Sequence, residues 1–325
     1  MKNQLSTALT KMLNIDFPII QAPMFLVSNI NMAIEAANSG ITGCIPAMNY
    51  RSCSDLRDAI LDFKKHAAGP LGINLIVNQF NTKMNEQLTV CIDNNVDYII
   101  TSLGNPKSII EACKPKGIRV FCDVVNLEYA KKVEMLGADA VIAVNNRAGG
   151  HLGPMSPEEL IPLLVNNCKI PVISAGGVSD GSQLKKLLDL GAAGVSMGTP
   201  FIATHESDVS HDYKQAIVDY GAKDIVVTDR VSGSKCTIIN TPYVQSISLR
   251  ANWLERFLFR NKWVKKYFKM FRWFKGTKMF EKSAFQATYQ SVWCAGPSLE
   301  GVHSIRYVSQ VVGDILAPFM IEDDN

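Results

Sequence analysis

The run Arg147-Ala148-Gly149-Gly150-His151-Leu152-Gly153 holds the residue types best suited to chemistry in this chain. Two consecutive glycines reach backbone dihedrals closed to other residues and let the main chain approach a flat ring. The imidazole that follows changes charge near neutral pH, so it can take or give a proton. The competing reading of His151 is a loop histidine that only hydrogen-bonds a carbonyl. A second signal is a pair of glycine-rich turns, Ser174-Ala175-Gly176-Gly177-Val178-Ser179-Asp180 and Met197-Gly198-Thr199-Pro200. Unpaired backbone N–H groups in such turns, with the start of a helix behind them, favour a phosphate dianion. Each turn is otherwise a tight link from strand to helix, and neither ends in the Gly-Lys-Ser/Thr of a P-loop. Ala22-Pro23-Met24 offers small, donor-poor residues along which a ring can lie. Asn74 and Asp123 end apolar runs with polar groups that either touch a ligand or cap the next loop. His205 and His211 with Asp208 and Asp212 match no metal-ligand spacing, and no metal is predicted.

These residues need a scaffold that brings them together. From Pro18 to about Thr204, short runs rich in Val and Ile alternate with helix-period segments. The runs are PIIQAPM, ITGCIPA, LGINLIV, DYIITSL, RVFCDVV, ADAVIAV, IPVISAGG and AGVSMGT, with helices such as Asn29–Asn38, Ser54–Lys65, Leu127–Leu136 and Asp180–Asp189 between them. Their near-continuous apolar character fits parallel strands covered on both faces. An open doubly wound sheet would read similarly but would gather its functional residues at one crevice. Eight runs, with Gly, Asn, Asp and His at the ends of several, predict an α/β protein built on a (β/α)₈ barrel.

The alternation stops after about Tyr213. We expect a barrel over 1–212, a smaller, mostly helical lid domain inserted at 213–285, and a return to the barrel over 286–325. Within the lid, Arg250–Lys282 carries eleven Lys or Arg against two Glu, interleaved with Trp253, Trp263 and Trp273. This basic aromatic stretch suits an acidic partner such as acyl carrier protein or coenzyme A, an anionic membrane surface, or a lid whose lysines stay in water. With 325 residues, 47% hydrophobic and 19% charged, the chain reads as a globular protein, and a net charge of +3 does not call for a nucleic-acid partner. Eight cysteines without a C-x-x-C pair, and no signal or membrane-spanning stretch, point to the cytoplasm.

In order along the chain, QAPM, GINL, AGGHLG, SAGGVSDG and MGTPFIAT resemble the nitronate monooxygenase family, formerly the 2-nitropropane dioxygenases. The resemblance covers about residues 15–205, with a weaker echo at WCAGPSLEGVHSI. It implies a barrel that binds flavin mononucleotide (FMN) and oxidises alkyl nitronates with O₂ to carbonyl compounds and nitrite. It makes His151 catalytic and places flavin contacts on Ala22, Pro23, Met24, Asn74, Gly176, Gly177, Gly198 and Thr199. Asp123, Gly150 and Ala175 join the same expected cofactor set. The family usually has Gln-Gly-x-Glu before Ala-Gly-Gly-His, whereas this chain has Val144-Asn145-Asn146-Arg147, which reverses the charge beside the site. Arg147 either binds an anionic substrate, steadies reduced flavin, or faces solvent. The related flavin-dependent enoyl-acyl-carrier-protein reductases supply the alternative: reduction of an enoyl thioester or a quinone with NAD(P)H. They typically show Gly-Gly-Met where this chain has Ala22-Pro23-Met24.

Overall fold

Polar residues placed just ahead of apolar-periodic runs start the helices in the computed structural model of this protein, which describes residues 5–78, 81–229, 234–247, 249, 279, 281–286 and 291–320. The helices are α1 (Ala8–Leu13), α2 (Ile30–Asn38), α3 (Cys53–His66), α4 (Met84–Asp93), α5 (Lys107–Cys113), α6 (Leu127–Leu136), α7 (Pro157–Val165) and α8 (Gly181–Asp189). Asn29, Ser52, Asn126, Ser156 and Asp180 each accept from the backbone N–H three residues on, ahead of α2, α3, α6, α7 and α8. That bond satisfies one of the donors a helix start leaves unpaired.

Between the helices run β1 (Ile19–Gln21), β2 (Thr42–Pro46), β3 (Leu71–Ile76), β4 (Tyr98–Ser102), β5 (Arg119–Val124) and β6 (Ala140–Val144). The short β7 (Gly150–His151) interrupts the series before β8 (Val172–Ala175) and β9 (Gly194–Met197). All the barrel strands are parallel, in the order β1-β2-β3-β4-β5-β6-β8-β9, and β9 closes on β1 through Ile19↔Val195. The eight apolar runs read from the sequence are these eight strands. Alternate residues divide two cores, as the period of two requires. Ile20, Cys44, Tyr98, Ile100, Phe121, Ile142 and Ile173 fill the inside of the barrel, plugged from below by Leu9, Leu13 and Ile15. The other face packs against the surrounding helices.

Beyond the barrel come α9 (Thr199–Ile202), α10 (His211–Asp219), β10 (Ile225–Thr228), β11 (Cys236–Ile239) and α11 (Pro242–Ser246). Here the structure adds an element absent from the sequence reading. β10 pairs antiparallel with β11, and β11 pairs antiparallel with β7, so the Gly-Gly-His run is an edge strand of a second sheet. The chain then returns: Cys294 bridges Ile238, and a final helix, Val308–Leu316, packs on α2 and α8. The basic segment Arg250–Lys282 lies outside the described residues except for Met279, Glu281 and Lys282. Among the described residues no helix is long and apolar enough to cross a membrane.

The floor of the barrel depends on one close approach. Gly72 faces Tyr98 across β3 and β4, and a Cβ on Gly72 would sit 2.2 Å from the ring carbon Cζ. Tyr98 cannot retreat, because its hydroxyl donates to the Gly43 carbonyl at 3.2 Å and its ring stacks on Phe121 at 5.1 Å. Gly72→Ala is therefore expected to lower the unfolding free energy by about 1–3 kcal/mol, the usual cost of overpacking. Urea denaturation measures this, and an unchanged midpoint would show a looser floor.

Candidate active site

The C-terminal ends of the barrel strands open into a cavity of about 750 Å³, lined mainly by apolar side chains. That volume lies in the range of small-molecule and cofactor sites. β1 and the turn after it contribute Ala22, Pro23 and Met24; β3 contributes Asn74; β5 contributes Asp123. Gly150 and His151 come from β7, Ala175, Gly176 and Gly177 from the end of β8, and Gly198 and Thr199 from the end of β9. These residues are far apart in sequence, and barrel closure is what gathers them.

The histidine is held from two sides. Above, Cys236 of β11 lies opposite His151, and the Thr237 hydroxyl donates to the Ala148 carbonyl at 2.8 Å and to the Gly150 carbonyl at 3.3 Å. Below, the fully buried Asn145 donates from Nδ2 to the Gly176 carbonyl at 3.0 Å, while its Oδ1 accepts from the Arg147 amide at 2.8 Å. Gly176 has φ of 113° and passes so close under the loop that a Cβ would lie 2.5 Å from the Ala148 nitrogen. Only glycine meets both conditions. The return segment completes the wall: the Gly296 amide donates to Thr199 Oγ1 at 3.0 Å, and Tyr213 donates to the Cys294 carbonyl at 2.6 Å.

The main-chain amides of Gly177, Gly198 and Thr199 find no acceptor among the described residues, while that of Gly176 continues the β8–β9 ladder toward Ser196. They sit on two neighbouring turns, after β8 and β9, and N–H groups gathered in this way are of the kind that can hold an anion. The cavity's charged lining is sparse: Asp123, Lys132 and His151. His151 keeps surface open to the cavity, yet the protein around it displaces bulk water, and this desolvation holds the imidazole below its ordinary value of 6.5. Burial pushes the Asp123 carboxyl up to about 6, against a hydrogen bond from the Ser102 hydroxyl at 2.5 Å. Cys236 and Cys294 also face the cavity, but burial raises both thiols far above neutrality, so neither is a thiolate nucleophile.

Arg147 stands apart from the other expected site residues. Its guanidinium lies 3.3 Å from Glu158 on α7, a carboxylate that Lys186 of α8 also meets at 2.7 Å. The side chain is 45% exposed and is not part of the cavity wall. Its position gives a rim ion pair over the Gly177 backbone rather than an anion anchor inside the site. Among the described residues no three His, Cys, Asp or Glu side chains converge as metal ligands. His205 packs against the Tyr307 ring at 4.5 Å in a tilted arrangement, and His211 opens α10.

The sequence reading passed over three residues that matter here. Asn145 and Thr237 position the Gly-Gly-His run, and Ser102 links Asp123 to Asn74, whose Nδ2 donates to Ser102 Oγ at 2.8 Å. A buried amide directly between an apolar strand and a glycine pair is the signal that marks Asn145. Asn145→Ala is expected to cost about 1–3 kcal/mol, because the Arg147 amide and the Gly176 carbonyl both lose a partner. Thermal and urea unfolding read that loss; stability equal to the parent would deny Asn145 its positioning role.

Comparison with known proteins agrees with this geometry. The family model described as nitronate monooxygenase matches residues 78–317. A nitronate monooxygenase of Paraburkholderia phytofirmans is 29% identical over 272 residues, covering 70% of this chain and 74% of that protein. A Rhodococcus jostii protein, (3aS,4S,5R,7aS)-5-hydroxy-7a-methyl-1-oxo-octahydro-1H-indene-4-carboxyl-CoA dehydrogenase, is 32% identical over 250 residues, covering 76% of this chain and 69% of its own. The structure of FabK from Thermotoga maritima superposes with a TM-score of 0.83 at 28% identity, over 98% of this chain and 97% of that one. This chain is an oxidoreductase that belongs to the nitronate monooxygenase family.

Proposed function

We propose that the protein is an FMN-dependent nitronate monooxygenase, with FMN in the barrel mouth and His151 as the acid–base residue. The observation that carries this reading is the sharing of one cavity by His151 and the uncommitted amides of Gly177, Gly198 and Thr199. The residues present fit FMN: the Gly176/Gly177 and Gly198/Thr199 turns would hold its phosphate, and Ala22, Pro23, Met24, Asn74, Asp123, Gly150 and Ala175 would border its ring. Bound FMN supplies the electron transfer between nitronate and O₂ from which a carbonyl compound and nitrite result.

His151 would work on the proton. A neutral nitroalkane has an acidic C–H, and a neutral imidazole can accept that proton, or, once protonated, stabilise the nitronate. The same desolvation that lowers its proton affinity keeps it in the basic form at neutral pH. The cover formed by β10, β11 and the return segment would exclude water from the reacting groups. We assign residues 213–285 as the lid and the cytoplasm as the compartment, since unpaired thiols persist where the medium is reducing.

A second reading, NAD(P)H-dependent reduction of an enoyl thioester, has its own support. The cavity continues to an apolar rim at Leu103, Val125 and Tyr129, with Lys132 beside the Tyr129 ring, space suited to an acyl chain. The Rhodococcus jostii relative is named for a CoA thioester. Acyl carrier protein or CoA at the basic segment belongs with this reading.

One experiment separates the two. Mixed with a nitronate in air, without pyridine nucleotide, the protein is expected to consume O₂ and release nitrite; bleaching of the flavin by NADH or NADPH under argon would favour the reductase. With a neutral nitroalkane, kcat/KM should hold from neutrality down to below the ordinary imidazole value of 6.5 and then fall as His151 gains its proton. His151→Ala should reduce turnover by about 10²–10⁴ while flavin stays bound. Full turnover by that variant would exclude the assignment of His151.

A further inference from the structure

Asp123 is the one carboxyl among the described residues that line the cavity. It projects from β5 into the barrel mouth, where a carboxylate has no obvious structural task. Ser102 Oγ donates to its Oδ2 at 2.5 Å, and Ser102 in turn accepts from Asn74. Among the described residues the second carboxyl oxygen has no hydrogen-bond partner and no ion pair balances the charge.

The groups that face Asp123 from its neighbours add no positive charge. Cys44 on β2, Cys122 on β5 and Tyr129 on α6 all lie within electrostatic reach, and burial keeps each of them protonated and neutral. Lys132 and His151 line the same cavity, but Lys132 is exposed over the Tyr129 ring and His151 favours its neutral form. An uncompensated carboxyl in such a setting responds to whatever charge is placed beside it. Ionised, it repels an electron-rich ring; protonated, it donates a hydrogen bond to one.

We propose that Asp123 takes up a proton when the ring in the cavity becomes electron-rich, so that reduction of bound flavin draws two protons instead of one. The inference rests on FMN occupying the cavity. In the balance, oxidised flavin takes two electrons from an external reductant such as dithionite and one proton from the medium, giving its anionic reduced form. The Asp123 carboxylate takes the second proton at a carboxyl oxygen and becomes a carboxylic acid. The total is two electrons and two protons, with no bond broken in the protein.

The sign follows from the resting state. Below about pH 6 the Asp123 carboxyl already carries its proton and reduction binds one. Above that, the oxidised enzyme holds a carboxylate and reduction binds two, until the medium becomes too basic for the reduced enzyme to keep the second.

The test is the flavin midpoint potential of the holoenzyme against pH, followed by absorbance with mediator dyes. Each bound proton makes a two-electron potential fall by about 30 mV per pH unit, the tenfold constant for such a couple, and two protons by about 59. The parent protein should therefore show the steeper line above about pH 6 and the shallower one below it. Asp123→Asn should follow the shallower line throughout. Infrared difference spectra of the parent labelled with ¹³C-aspartate, taken on reduction at neutral pH, should gain a carboxylic-acid C=O band; this readout stands even if Asp123→Asn loses flavin. A single shallow line in the parent, or no such band, overturns the proposal while leaving the flavin assignment intact. Protein that takes up no flavin ends both.

Discussion

The site depends on a pairing of two residues. Gly150 and His151 lie antiparallel to Thr237 and Cys236, and this short ladder fixes an imidazole that would otherwise ride on a glycine-rich loop. Two glycines in succession lose more conformational freedom on ordering than any other pair, so the loop needs several partners to hold one geometry. It has them: Thr237 on its carbonyls, Asn145 on the Arg147 amide, and the Gly176 turn pressed against Ala148. The barrel supplies the lower contacts and the added sheet the upper ones, so the histidine is positioned only when both are folded.

That arrangement also sets the electrostatics. Burial at the barrel mouth takes bulk water from His151 and Asp123, and desolvation acts on the two groups with opposite sign. The imidazole is driven toward its neutral form and the carboxyl toward its acid form. Desolvation is the first cause of both shifts. The glycine turns after β8 and β9 lie at strand ends other than those that carry this pair, so phosphate binding and proton transfer, as proposed, would use different parts of the same rim.

The barrel was legible because each strand is buried on both faces and therefore writes an unbroken apolar run, such as ITGCIPA or ADAVIAV. The rim residues were legible because such runs end in Gly, Asn, Asp or His where the strands open onto the cavity. The second sheet was not. β7 is too short to show a period of two, and its partner β11 lies in a segment with no regular alternation, so the pairing exists only in three dimensions. The surroundings of Arg147 were hidden for a related reason: Glu158 and Lys186 meet it from α7 and α8, whose relative placement is fixed by the barrel. Asn145 could have been noticed as a polar residue ending an apolar strand, but its partner Gly176 is thirty-one positions away.

In the proposed site, main-chain amides on the Gly176/Gly177 and Gly198/Thr199 turns would recognise a phosphate at one end of a flavin. Titration of flavin-free protein with FMN and with riboflavin, followed by flavin fluorescence, tests it most directly. Binding of FMN to one equivalent per chain, with riboflavin far weaker, is the predicted result. Equal affinity for the two, or no uptake of either, would rule out phosphate recognition by these turns.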